Sequence, residues 1–199
     1  MSNLILIRHG QSVWNAANRF TGWTDVELSE VGVSEAEEAG HSLSSQRIDV
    51  VHTSDLIRAQ RTAEIIMSLN EASEGYSTKY DWRLNERNYG SLQGLNKAET
   101  AEKFGAEQVH IWRRSFDVAP PDGESLEMTA ERTIPYFEEE ILPDLQEGKG
   151  VLVSAHGNSL RSIVMHIEEI SPEDIVSLEI QTGSPMFYKF EGGEISRTG

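Results

Sequence analysis

The feature that most constrains this chain is the run Leu4-Ile-Leu-Ile-Arg-His-Gly-Gln-Ser-Val-Trp-Asn15. Leu4 to Ile7 are four consecutive large aliphatic residues, which predicts a strand buried on both faces. The apolar run stops at Arg8, His9 and Gly10 and gives way to small and polar residues. In an open α/β sheet, ligands collect just beyond the carboxyl ends of the strands. A cation, a titratable imidazole and a glycine at that place suit a phosphate-handling site.

The same pattern recurs. Val151-Leu-Val-Ser-Ala155 is a second buried strand, and it ends in His156-Gly157. If the two strands are parallel neighbours, both imidazoles reach one edge of the sheet. A third apolar run, Ile48 to Val51, ends in His52-Thr53-Ser54, and Pro185 to Glu191 reads as a final strand. Between these runs lie helices. Ser29 caps one with Val33, Ala36, Gly40 and Leu43 on its inner face. Another runs from about Asp55 to Leu69, burying Ala59, Ala63 and Ile66 and carrying Arg58 near the start, where phosphate oxygens are well accommodated. Lys97 to Phe104 and Glu107 to Arg114 are short helices. Ser125 opens a long helix in which Pro135 predicts a kink or break. Leu160, Ile163, Val164 and Ile167 form the stripe of a helix after His156, and Ser171-Pro172 starts another. Arg19 to Asp25, Asn70 to Thr78 and Ala119 to Glu124 read as loops, and Tyr80 to Gly94 as an irregular aromatic and charged segment. Strands alternating with helices imply an α/β fold: a three-layer α/β/α arrangement, the sheet mostly parallel with helices on both faces, forming one domain over residues 1–199.

The formal net charge of −16 argues against nucleic acid and anionic membranes as partners, because both attract basic surfaces. No apolar stretch approaches the ~20 residues of a spanning helix, and no secretory signal opens the chain. With no cysteine, thiolate metal sites and disulfides are excluded, which suits a cytoplasmic enzyme. Twelve of the seventeen cationic residues are Arg, the type that grips phosphate with two donors.

A lone histidine at a strand end is usually structural. A matched pair, each followed by glycine and one preceded by arginine, favours chemistry. His41, His52, His110 and His166 lack that context and are read as structural. No His-x-His or His-Glu-x-x-His spacing offers a metal site. Phosphoryl transfer relies mainly on positioning and charge stabilisation, which Arg8, Arg58, Lys97, Arg113 and Arg114 could supply without metal. A neutral imidazole is a competent nucleophile near pH 7. A proton shuttle is also needed, and Glu86 is one carboxylate of many that composition alone does not single out.

Several stretches carry a family resemblance: Arg8-His-Gly-Gln-Ser-Val-Trp-Asn15, Phe20-Thr-Gly-Trp-Thr-Asp25, Leu28-Ser-Glu-x-Gly32, Thr53-Ser-x-Leu-x-Arg-Ala59, Leu84-Asn-Glu-Arg-x-Tyr-Gly90, Gln93-Gly-Leu-Asn-Lys-Ala-Glu99, Trp112-Arg-Arg114, Pro120-Pro121 and Ala155-His-Gly-Asn-Ser-Leu-Arg161. Together they resemble the cofactor-dependent phosphoglycerate mutases of the histidine phosphatase superfamily. Arg-His-Gly alone marks the superfamily; Gly-Leu-Asn-Lys and Trp-Arg-Arg are more specific to the mutases. The resemblance implies a phosphoglycerate mutase-like fold and interconversion of 3-phosphoglycerate and 2-phosphoglycerate in glycolysis and gluconeogenesis. It implies 2,3-bisphosphoglycerate as primer and intermediate, with no metal.

The resemblance also makes His9 the phosphohistidine nucleophile and Glu86 the proton donor and acceptor. Arg8, Arg58 and His156 surround the transferring phosphoryl group. Gly10, Gln11, Ser12, Asn15, Thr21, Gly22, Arg87, Tyr89, Lys97, Arg113, Arg114, Gly157 and Asn158 complete the substrate site. Many members carry a polar insertion after the paired prolines that contributes to the active-site surround and to subunit contacts, whereas here Asp122-Gly-Glu-Ser125 connects directly; the partner expected besides small-molecule phosphoglycerates is a second copy, in a homodimer or higher homo-oligomer. The rival readings are a phosphatase of the same superfamily, in which water takes the phosphoryl group, and a non-catalytic phospholigand-binding module. Lys97, Arg113 and Arg114 favour the mutase over the first. Intact His9, Glu86 and His156 oppose the second.

Overall fold

A computed structural model describes all residues from Met1 to Gly199. The elements follow in the order β1 (Ser2–Arg8), α1 (Val13–Ala16), α2 (Glu30–Ser42), β2 (Val50–Thr53), α3 (Ile57–Ser68) and β3 (Ser77–Tyr80). Two 3-10 turns, Trp82–Leu84 and Gly90–Leu92, lead to α4 (Lys97–Phe104) and α5 (Ala106–Arg114). Next come α6 (Leu126–Tyr136), a π turn at Phe137–Ile141, α7 (Leu142–Gln146), β4 (Val151–Ala155), α8 (Gly157–Ile167), α9 (Pro172–Ile175), β5 (Pro185–Glu191) and β6 (Glu194–Arg197).

The strands form one six-stranded sheet in the order β3-β2-β4-β1-β5-β6. Strands β3, β2, β4 and β1 are parallel, while β5 pairs antiparallel with both β1 and β6. The sheet is therefore mixed, with its parallel half carrying the strand ends of interest. Side chains alternate across a strand, so Leu4 and Leu6 enter the core formed with Tyr136, Phe137, Leu160 and Ile163. Ile5 and Ile7 enter the opposite core with Leu43, Ala63 and Ile66. Helices cover both faces, which is why β1 can be apolar at every central position. Each such side chain contributes roughly 1.5–3 kcal/mol on burial.

The sequence reading missed two short strands. β3 begins at the end of the segment read as a loop and runs on to Tyr80, the first residue of the segment read as irregular, and β6 follows the strand read as final. β3 is an edge strand with half-exposed or exposed side chains, so it has no apolar pattern to betray it. β6 is the outer arm of a hairpin turning at Gly192 and Gly193, both with positive φ (64° and 94°). That conformation suits glycine and matches a two-residue hairpin turn. The break expected at Pro135 takes another form: α6 continues through Tyr136, and the register then shifts in the π turn. Proline lacks the N–H of the helical ladder and crowds the preceding turn, yet α6 continues through it. No helix is long and apolar enough to cross a membrane.

Two glycines explain the chain's course after β1. A Cβ on Gly10 would collide with the Gly32 carbonyl, and one on Gly32 would collide with the Gln11 backbone. Only glycine at both places lets the start of α2 lie directly against the segment that follows His9.

Candidate active site

Parallel pairing aligns Arg8 with Ala155, so the residues after each strand end side by side. The His9 and His156 rings stand edge to face, with centroids 4.9 Å apart. Both are buried.

Local bonds decide which nitrogen each ring presents. His9 Nδ1 lies 2.6 Å from the Gly10 carbonyl oxygen, which can only accept, so Nδ1 carries the proton. Nε2 is then the free lone pair, and Arg58 Nε points a donor at it from 3.3 Å. Burial lowers the His9 pKa well below the ordinary value, and Arg58 and Arg8 push it the same way. The ring is therefore a neutral nucleophile. His156 Nε2 lies 2.7 Å from Ser54 Oγ, and that oxygen also accepts from the Leu56 amide at 3.2 Å. With Ser54 donating to Nε2, His156 Nδ1 is the protonated ring nitrogen. It is buried and has no partner in the protein. Arg8 Nε is a second such donor, while Arg8 Nη1 donates to the Ile180 carbonyl at 2.8 Å. Orphaned buried donors are rare because desolvation makes them costly. Here they fit an anion lodged beside His9.

Arg58 is nearly fully buried, and its Nη1 and Nη2 donate to the carbonyls of Thr24 (3.0 Å) and Gly22 (2.8 Å). Burial lowers its pKa to about 10, with Glu86 and Asp25 resisting, so it stays cationic at neutral pH. Glu86 Oε1 accepts from the Arg87 amide (2.7 Å), the Asn158 amide (3.1 Å) and Asn158 Nδ2 (3.0 Å). No protein donor contacts Oε2. Burial pushes the Glu86 carboxyl up, but the Arg87 amide, Arg8, Asn158 and Arg58 outweigh it and hold the group below the usual carboxylate range. The resting residue is a base.

One cleft is lined by Arg8, His9, Asn15, Arg19, Phe20, Thr21, Gly22, Arg58, Glu86, Tyr89, Lys97, Arg113, Arg114, Gly157, Asn158, Arg161, Glu179 and Ile180. Seven cations face two carboxylates there, in a chain of net charge −16. Such focusing selects an anionic ligand. Gly157 and Asn158 open α8, so its N-terminal amides add to the same field. Lys97 begins α4, and Arg113 and Arg114 end α5. These two helices bring the distal cations over the cleft.

Thirteen of the residues expected at the site line this cleft. His156, Gly10, Gln11, Ser12 and Arg87 do not line it, although the His156 ring packs against His9, which does. Gly10 sets the His9 tautomer and donates its amide to Thr62. The Gln11 carbonyl accepts from the Ser29 amide at 2.8 Å, fixing α2. Ser12 caps α1 reciprocally with Asn15. Arg87 donates to Tyr89 Oη and to the Arg113 carbonyl, both at 3.0 Å, tying the Glu86 loop to α5. Five lining residues were not expected: Arg19, Phe20, Arg161, Glu179 and Ile180. Arg161 had a signal: it follows Asn158 by three residues on α8 and donates to its side chain at 3.3 Å. Glu179 had none, since its place depends on an ion pair with Arg114 and a longer one, 3.9 Å, with Arg161.

A family model described as the histidine phosphatase superfamily (branch 1) matches residues 4–197. The chain is 51% identical to a 2,3-bisphosphoglycerate-dependent phosphoglycerate mutase of Protochlamydia amoebophila, over 98% of this chain and 97% of that protein. It is 53% identical to the protein of the same name from Cytophaga hutchinsonii, over 96% of this chain and 88% of that one. Among solved structures it is similar to Bacillus stearothermophilus YhfR, with a TM-score of 0.86 and 26% identity, covering 99% of this chain and 95% of that one.

Proposed function

From the premise that this chain belongs to the histidine phosphatase superfamily, we infer that it is a 2,3-bisphosphoglycerate-dependent phosphoglycerate mutase, interconverting 3-phosphoglycerate and 2-phosphoglycerate. The observation that carries the reading is a neutral His9 whose free Nε2 faces a cleft with seven cations and an ionised Glu86.

His9 Nε2 carries the phosphoryl group. When a phosphoglycerate hydroxyl attacks the phosphorus, the P–N bond to His9 breaks as the new P–O bond forms, and Glu86 takes the hydroxyl proton. The resulting 2,3-bisphosphoglycerate reorients and returns its other phosphate to His9, while Glu86 gives the proton back to the departing oxygen. A Glu86 pKa below the usual range suits the first half-reaction, which needs a base. Arg8, Arg58 and the unpartnered N–H of His156 are suited to the equatorial oxygens, where charge accumulates. Lys97, Arg113 and Arg114 hold the distal phosphate and carboxylate, and Asn15, Thr21, Gly22, Tyr89, Gly157 and Asn158 complete the wall. We assign 2,3-bisphosphoglycerate as primer with no metal requirement, a cytoplasmic setting, and one domain over residues 1–199.

The test supplies 3-phosphoglycerate with and without trace 2,3-bisphosphoglycerate, in EDTA. Primer-stimulated appearance of 2-phosphoglycerate is expected. Release of inorganic phosphate instead, or an acid-labile phosphoenzyme that survives His9→Ala, would overturn the assignment.

A further inference from the structure

Glu86 sits in a stretch with no strand partner, so its backbone has no ladder to define it. The carbonyls of such a segment still need donors once buried. One side chain supplies most of them. Arg132 on α6 is buried, and its Nη1 donates to the carbonyls of Arg83 (2.9 Å), Asn85 (3.0 Å) and Trp82 (3.4 Å). Its Nη2 donates to the carbonyl of Glu86 itself at 2.9 Å.

The remaining edge of the guanidinium binds Glu124 through Nε (3.0 Å) and Nη2 (2.9 Å). Glu124 Oε2 also accepts from the Asn88 amide at 2.8 Å, so the pair grips the loop on both sides of Glu86. The guanidinium lies 5.6 Å from the Trp23 ring and 5.9 Å from the Trp82 ring. Trp23 Nε1 donates to the same Glu86 carbonyl at 2.5 Å. Arg132 does not line the cleft. It touches the Glu86 backbone from behind, while Arg87 and Asn158 hold Oε1 in front.

We propose that Arg132 is a positioning residue for the proton shuttle, its planar fork holding the 82–88 backbone so that Glu86 Oε2 stands free in the cleft. The inference rests on the reading of Glu86 as that shuttle. A general base must sit within hydrogen-bond reach of the proton it moves, and a carboxylate on an unpaired loop lacks that precision unless its backbone is held. Lysine keeps the charge but cannot reproduce a fork with five fixed donors.

The experiment is a double-mutant cycle. It measures kcat and KM for 3-phosphoglycerate in wild type, Arg132→Lys, Glu86→Gln and the double variant, with a melting curve for each. Arg132→Lys is expected to lower kcat roughly 10- to 100-fold with KM within about twofold, and to cost under about twofold on the Glu86→Gln background. A purely architectural residue would cost the same in both backgrounds, and that result overturns the proposal while leaving Glu86 in its role. Glu86→Gln at the wild-type rate would instead remove the shuttle reading and the clamp with it. If Arg132→Lys loses its cooperative melting transition, Trp23→Phe carries the test, since it deletes one donor to the Glu86 carbonyl and keeps an aromatic ring. It should lower kcat about two- to tenfold with Glu86 present and leave the Glu86→Gln rate unchanged. Equal losses in the two backgrounds would again refute the clamp.

Discussion

His52, on β2, offers a quantitative test of how this fold handles buried polarity. The side chain has no exposed surface; Nε2 lies 3.0 Å from Asp144 Oδ2, and Nδ1 lies 2.8 Å from the Tyr136 hydroxyl. Burial raises the Asp144 pKa, but donors from Lys149, Lys79 and His52 outweigh it and keep the carboxylate charged. His52 Nε2 is therefore the N–H, and Tyr136 donates to Nδ1. Burial lowers the His52 pKa from 6.5 to about 4, with Asp144 only partly opposing it. Between those values the unfolded chain binds a proton that the folded chain does not, so stability present above pH 6.5 is lost as the pH falls towards 4.

A displacement of this size corresponds to about 2 kcal/mol lost at pH 5 and about 3 kcal/mol at pH 4, a substantial part of a typical 5–15 kcal/mol. His52→Gln keeps a donor and an acceptor but cannot titrate. Urea unfolding of both proteins at pH 7 and pH 5 gives two differences in unfolding free energy. The wild-type difference should exceed that of the variant by about 2 kcal/mol. His9 and His156 are also buried with lowered pKa values, but their contributions are common to both proteins and cancel. Equal pH dependence in the two proteins would refute a neutral, buried His52.

Three further outcomes are expected. The His9 imidazole, lowered by burial and by Arg58 and Arg8, stays neutral as the pH falls through the ordinary histidine range. Its ring proton NMR shift should be flat between about pH 5.5 and 8 in the free enzyme, and a midpoint near 6.5 would contradict the geometry. Gly32→Ala drives a methyl into the Gln11 backbone, so it should cost about 1–3 kcal/mol in denaturant unfolding and lower kcat by disturbing the Gly10 carbonyl that holds His9. Glu179→Gln removes the carboxylate that occupies Arg114 at the cleft. KM for 3-phosphoglycerate should fall about two- to fivefold, the scale of one exposed ion pair, and a rise would show that Glu179 helps binding.

Much of the parallel half of the sheet was legible because it is buried on both faces. Leu4 to Ile7 and Val151 to Ala155 are apolar at consecutive positions, and no other local structure suits such short runs. The paired His-Gly ends followed from the same pattern, since neighbouring parallel strands bring equivalent ends together. β3 and β6 were not legible: each lies at a sheet edge, is largely exposed, and is held by backbone bonds that any sequence can make.

At the site the division is similar. His9 and His156 are determined by sequence alone, because a strand end is a local event and each histidine follows one directly. Glu86 was reached only through its motif, since its environment is assembled from Arg87, Asn158 and Arg132, up to 72 residues away. Of twelve arginines, the cleft takes six and the Glu86 clamp a seventh. That choice belongs to tertiary structure. A guanidinium's role depends on which carbonyls and carboxylates converge on it, and convergence over long separations leaves no periodic trace in the chain.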